Sequence, residues 1–148
     1  MLVRLALERD MDGMAEMTRE AMAETRPWLE YDDHEARDTF HSYLTTAEPT
    51  IFVAERDGRL VGMSVASIQQ YRTASGLFVV QEVLFVRPEA RGTRAAALLM
   101  KQIVTWSQGL GAREIISGND SGLKSEQVAR FFGRMGFSHV GYAMRRVF

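Results

Sequence analysis

Apolar residues recur along this chain with two different periods, and the switches between them mark out the elements. Leu2–Leu7 reads as a short strand. From about Met11 to Glu24, Met14, Met17, Ala21 and Met22 fall at helical spacing, with Asp10 placed to cap the helix. A methionine stripe of this kind packs a core, and its adaptability would also suit a mobile wall beside a substrate. Pro27 breaks the helix. Asp32-Asp-His-Glu35 then opens a second one in the manner of a capping box, with Ala36, Phe40, Tyr43 and Leu44 as its apolar face. The middle of the chain is β: Ile51–Glu55 and Leu60–Ile68 flank Arg56-Asp57-Gly58-Arg59, a type I′ hairpin signal. Leu77–Val86 is almost continuously apolar, as a central strand covered on both faces should be, and Pro88 ends it. A helix from about Arg94 to Gln108 buries Ala96, Leu99, Ile103 and Trp106 and stops at Gly109 and Gly111. Glu114–Ser117 is a short strand, Ser125–Met135 a helix capped by Ser125, and Phe137–Val147 one or two closing strands. The order predicts an α+β, or mixed α/β, domain around one central sheet flanked by about four helices.

Composition narrows the function. The 148 residues, 46% of them hydrophobic, suffice for one core, and no linker, charge block or repeat divides them, so residues 1–148 are expected to form one domain. A net charge of −1 with interspersed signs argues against nucleic acid as the main partner. The N-terminus carries charge too early for a signal peptide, and the longest uncharged run, Leu60 to Tyr71, is too short to span a bilayer. The expectation is a cytoplasmic protein with no membrane contact. The absence of cysteine excludes disulfides, thiolate metal sites and a cysteine nucleophile. His34, His41 and His139 lack the spacing of metal ligands, and no metal site is expected.

The stretch from Glu82 to Met100 carries the chemistry. It runs from a buried strand through Pro88 and a tight Arg91-Gly92 turn into a helix that opens on small residues. Unpaired N–H groups and the helix dipole converge there on a ready anion site, although a plain strand–turn–helix would look much the same. Glu82 is a charge in a central strand, which is costly unless it is paired or lines a cleft. It reads either as a general base or as half of a structural ion pair.

The run Arg87-Pro-Glu-Ala-Arg-Gly-Thr-Arg-Ala-Ala-Ala-Leu-Leu99 resembles the acyl-CoA pyrophosphate motif of the GNAT superfamily of N-acetyltransferases. Ala129-Arg-Phe-Phe-Gly-Arg-Met-Gly-Phe137 is similar to that family's second signature, and the order of elements is similar over almost the whole chain. The resemblance implies a mostly antiparallel sheet splayed between Val83–Val86 and Glu114–Ser117, with the pantetheine arm of acetyl-CoA in the gap. It implies backbone pairing of that arm at Leu84, Phe85 and Val86, and pyrophosphate binding across Arg91, Gly92, Thr93, Arg94, Ala95 and Ala96, with Phe132 also on the CoA side. An amine acceptor would enter beside the first two helices, where Trp28, Glu30, Tyr31, Asp32 and Asp33 could receive a cation. Glu82 would take the proton that an alkyl ammonium must lose before its nitrogen can attack a thioester.

Two departures stand out. Arg94 occupies a position where the family favours glycine, and it could either reach a phosphate or crowd the loop. Phe132 stands where the family often has a tyrosine that protonates the departing thiolate, which leaves Ser125, Tyr142 or water for that role. The expected activity is direct acetyl transfer to an amine in a ternary complex. The alternative is a GNAT-fold module that binds acyl-CoA or a protein partner with little catalysis. A homodimer is compatible with either.

Overall fold

Asp57 and Gly58 both sit at positive φ, 52° and 75°, and the type I′ turn they form folds the chain back between its two most buried strands. The computed structural model describes residues 1–118 and 121–148. In chain order the elements are β1 (Leu2–Leu5), α1 (Met11–Thr25), α2 (Asp33–Thr46), β2 (Thr50–Arg56), β3 (Arg59–Gln70), β4 (Leu77–Val86), α3 (Ala95–Gly109), β5 (Ile115–Ile116) and α4 (Ser125–Arg134). Short 3₁₀ turns at Glu8–Asp10 and Pro88–Ala90 precede α1 and α3. The strands lie in the order β1-β2-β3-β4-β5. The first four are antiparallel, and β5 runs parallel to β4. This is the mixed α/β architecture expected from the pattern.

The sheet is covered on both faces. Met14 and Met17 of α1 and Phe40 of α2 pack on Ile51, Val53, Met63, Val65 and Phe85. On the other face Leu99 and Ile103 of α3 meet Phe52, Ala54, Ala66 and Val79, and Trp106 stands edge-on to Phe52 at 5.9 Å. Met14 and Met17 of the α1 stripe are therefore core, with Ala21 packed against them, while Met22 is half-buried outside that cluster. Among the described residues no helix is long and apolar enough to cross a membrane.

Three local expectations are corrected. Asp10 occupies the N-cap position of α1, as expected, but its side chain makes no capping bond to that helix. Its carboxylate accepts the Leu7 N–H at 2.8 Å and pairs with Arg4 at 2.7 and 3.0 Å, so it closes the preceding 3₁₀ turn. Ser125 does not cap α4 either: Lys124, at φ 50°, is the cap residue, and Ser125 is already helical. The expected strands over Phe137–Val147 do not form, and residues 138–148 are irregular and exposed. An alternating sequence supplies the side chains of a strand but not the neighbouring edge whose N–H and C=O groups must pair with it.

Candidate active site

β3 and β4 pair in regular register from Gly62↔Val86 to Val65↔Val83, then resume at Ala66↔Gln81. Glu82 is the extra residue. A bulge re-aims the side chains around it. Gln81 turns to the α3 face, where its amide donates to Ser64 Oγ at 3.3 Å and to the Val83 carbonyl at 2.8 Å. Val83 packs on the α1–α2 face. The Glu82 charge is felt by Tyr43 of α2, whose hydroxyl is pushed up by burial and then by that carboxylate. Glu82 is exposed and has no ion pair among the described residues. The structural ion-pair reading therefore has no partner for it.

The other edge of β4 is open over most of its length. Among the described residues, β5 pairs with β4 at Val79↔Ile115 and Val80↔Ile116, with the Arg113 N–H also donating to the Leu77 carbonyl. The Arg87 N–H donates to the Val61 carbonyl at 2.8 Å. Antiparallel alternation then directs the Phe85 peptide to β3 and those of Leu84 and Val86 to the open edge. The Val86 carbonyl accepts Arg91 Nε at 3.0 Å. Of the three residues expected to offer backbone groups, Leu84 and Val86 face outward, and Phe85 contributes its ring to the core.

The turn beyond β4 continues that edge. Arg91 N–H donates to the Pro88 carbonyl and Thr93 N–H to that of Ala90, at 3.2 and 3.3 Å. Ala95 N–H reaches Thr93 Oγ1 at 3.3 Å. Among the described residues the N–H groups of Gly92, Arg94, Ala96 and Ala97 have no backbone acceptor in the turn. Gly92 holds φ +80° with nothing within 4 Å of a Cβ built there, so its role is the left-handed backbone and an uncovered surface. Arg94 is exposed and carries no ion pair among the described residues.

Behind the turn stands a row of carboxylates that the sequence reading missed. Glu16, Glu20 and Glu24 lie four residues apart on α1. Arg87, 1% exposed, donates Nε to the Leu60 carbonyl at 2.8 Å and Nη1 to Glu16 at 3.0 Å and to Glu20. Arg91 grips Glu24 through two bonds of 3.0 and 2.7 Å. The hydrogen bond from Arg87 holds the Glu16 carboxyl below its ordinary range. The signal was legible as acidic residues at i, i+4 and i+8 facing arginines spaced by four after a buried strand.

The remaining candidates are spread out. Phe132 is buried in an aromatic cluster, 5.5 Å from Phe131 and 5.3 Å from Phe137. Ser125 is exposed at the start of α4, and Tyr142 is exposed with its ring against His139 at 5.0 Å. In the α1–α2 loop, Asp32 is used as a cap for Glu35 N–H at 3.0 Å. Asp33 is held low by Arg37 and Tyr31, and the Trp28 ring carries the Arg145 guanidinium at 4.5 Å. Glu30 is exposed.

The profile of the Acetyltransferase (GNAT) family matches residues 14–137. The chain belongs to that family. Among curated sequences it is similar to uncharacterised N-acetyltransferases of Mycobacterium tuberculosis and Mycobacterium bovis, 31% identical over 102 residues. That match spans 69% of this chain and 61% of each relative, so the chain covers less than two thirds of their length. Among solved structures the GNAT fold of this chain is similar to that of a Bacillus halodurans transcriptional regulator, at TM-score 0.83 and 19% identity over 99% of both chains. A Trypanosoma brucei acetyltransferase gives 0.78 and 20%, and an aminoglycoside 6'-N-acetyltransferase of Acinetobacter haemolyticus 0.74 and 19%, each over 99% of both chains. At such identities these structures attest the fold alone. The α3 turn and the open β4 edge both lie inside the GNAT match.

Proposed function

We propose that this chain is an acetyl-CoA-dependent N-acetyltransferase acting on a primary amine in a ternary complex. One observation carries the reading: among the described residues, β4 beyond its short pairing with β5 presents the Leu84 peptide and the Val86 N–H on an open edge, and that edge leads to a turn whose N–H groups at Gly92, Arg94, Ala96 and Ala97 have no backbone acceptor. An elongated ligand with amides along its arm and a diphosphate at its end fits that edge. When bound, acetyl-CoA supplies an acetyl group already activated as a thioester. Leu84 and Val86 would bind the arm through their peptide groups, and the turn would hold the diphosphate through backbone donors strengthened by the α3 dipole. Phe132 would pack on the thiol side. Glu82, aimed by its bulge toward the α1–α2 face, would accept the proton of the incoming amine. Direct transfer is the proposed route, and with no cysteine in the sequence an acyl-cysteine intermediate is excluded.

Titration calorimetry with acetyl-CoA tests the binding half. A free-thiol release assay over a panel of amines then tests transfer. Binding followed by amine-dependent thiol release is expected; no binding of acetyl-CoA overturns the proposal. Binding without release by any amine would favour the second reading, an acyl-CoA-binding module. Arg94 in the turn and the lack of a hydroxyl on Phe132 speak for that reading.

A further inference from the structure

A polar cleft of about 450 Å³ opens between the start of α1, the β2–β3 turn and the exit of β4, lined in part by Arg4, Arg9, Glu16, Glu55, Arg59 and Arg87. Arg87 stands five residues beyond Glu82 in the chain, about 16 Å at the rise of a strand, so the cleft is apart from the proposed reaction centre.

Hydrogen-bonding capacity in this cleft is unevenly spent. Its carboxylates already have cations: Arg4 donates to both oxygens of Asp10 and to Oε2 of Glu55, and Arg87 donates to Oε1 of Glu16. The guanidiniums are not used up. Arg87 is 1% exposed, with Nε on the Leu60 carbonyl and Nη1 shared by Glu16 and Glu20, yet its Nη2 has no acceptor among the described residues. Arg59 gives Nη1 to Glu89 at 3.0 Å, and its Nη2 stands 3.8 Å from Glu16, beyond hydrogen-bond reach. Arg9 is exposed and has no ion pair among the described residues. Against these donors the unspent carboxylate oxygens are Glu16 Oε2 and Glu55 Oε1. The surplus is of donors. A guanidinium nitrogen buried beside an open cleft is costly until a ligand or water supplies its acceptor.

We propose that this cleft binds a small molecule through an oxyanion, a carboxylate or a phosphate, held by Arg87 Nη2 and by the guanidiniums of Arg9 and Arg59. The planar fork of arginine fits either group. Glu16 Oε2 and Glu55 Oε1 would accept from a hydroxyl or ammonium elsewhere on the same molecule, and the cleft has the size of a small-molecule site. The inference is independent of the acetyl-transfer reading.

Inorganic phosphate and succinate are the probes, titrated separately by calorimetry without acetyl-CoA, at an ionic strength fixed with chloride. Saturable binding of at least one of them below about 10 mM is expected. Phosphate alone would point to a phosphorylated ligand and succinate alone to a carboxylic acid. Arg9→Gln with Arg59→Gln alters two exposed side chains and should weaken binding at least about tenfold, with an unchanged circular dichroism spectrum. Arg9→Glu alone, at a position with no ion pair to lose, should weaken it as well. The α3 turn could also take phosphate, so Gly92→Val is titrated beside them and should keep the binding. Absence of saturation by either probe overturns the proposal. Binding that both arginine variants retain, or that Gly92→Val abolishes, places the anion elsewhere and overturns it too.

Discussion

Arg91 Nη1 and Nη2 meet the two carboxylate oxygens of Glu24 at 3.0 and 2.7 Å, while Arg91 Nε holds the Val86 carbonyl at 3.0 Å. One guanidinium thus fastens the end of β4, the turn before α3 and the last turns of α1. The pair is half-exposed, so its value to stability is small, about 0–1 kcal/mol. In the proposed acetyl-CoA complex its value would be geometric. Glu24→Ala is expected to leave the melting temperature nearly unchanged and to weaken acetyl-CoA binding about 3–10-fold, because the backbone donors of the turn lose their fixed aim. Calorimetry beside thermal unfolding decides this. Unchanged affinity would make the clamp structural only.

Gly92 and Arg94 separate backbone from side chain in the same turn. A Cβ at Gly92 would touch nothing within 4 Å, but φ +80° is costly for any other residue. Gly92→Val is therefore expected to strain the turn, cover its donors and cut acetyl-CoA affinity by at least about tenfold, or 1.4 kcal/mol. Arg94→Ala removes only an exposed, screened charge and should cost about 1 kcal/mol or less. Equal affinity of Gly92→Val and the natural chain, with the fold intact, would take the turn out of the site.

Glu82 can be tested through pH. Glu82→Gln keeps the bulge and the shape but accepts no proton. Turnover near neutral pH should fall by roughly 10²–10⁴-fold, and the deficit should shrink as rising pH deprotonates the amine itself. The pH–rate profile of the two proteins side by side is the measurement. A deficit constant across pH, or none, would remove Glu82 as the base.

Much of this was legible in the residues. The hairpin at Asp57-Gly58, the two-sided burial of β4 and the strand–turn–helix into α3 follow from local chemistry that needs no distant partner. The bulge at Glu82 was not legible, because register belongs to two strands at once and only the pairing of Val83 with Val65 and Gln81 with Ala66 reveals the extra residue. Asp10 was misread for a related reason. Its position before a helix fits a cap, but Arg4, six residues back, claims its carboxylate. The closing strands failed because alternation records what a segment could bury and is silent on whether an edge is within reach.

Acid stability should report the arginine clamps. Burial alone would raise the Asp10 carboxyl, but its bonds from Arg4 and the Leu7 N–H outweigh that and leave it below its ordinary 3.8. Glu16 is held below 4.5, chiefly by Arg87. A carboxyl depressed in the folded state contributes stability that is complete above its unfolded value and lost as pH falls through the folded one. Melting temperature should therefore hold steady down to about pH 5 and decline below it. In Arg4→Met the buried Asp10 loses its counter-charge, and its carboxyl should rise instead. That variant should be less stable near neutrality, and its gap from the natural chain should narrow as the pH falls. A gap independent of pH would mean that the Arg4 contribution is packing rather than charge.

In the proposed reaction Phe132 would stand beside the departing thiol. A thiol has a pKa of about 8.5, so its anion leaves readily and protonation helps without being obligatory. A phenylalanine here is thus compatible with turnover, the proton coming from water, Ser125 or Tyr142. The ring is 8% exposed, edge-on to Phe131 and Phe137. Phe132→Tyr adds one hydroxyl to that cluster. If the hydroxyl reaches solvent, stability should change by less than about 1 kcal/mol, because the new donor stays solvated. Acetyl-CoA affinity should be nearly unchanged and the rate equal or higher. The natural chain should also show little solvent isotope effect from thiol protonation. If the hydroxyl points into the cluster instead, it is buried without a partner, and stability should fall by about 1–3 kcal/mol. Thermal unfolding therefore tells where the ring edge points, and the rate tells what it does there. A large loss of rate in a variant that is as stable as the natural chain and binds acetyl-CoA equally well would contradict this account. It would assign Phe132 to apolar contact with the acyl group.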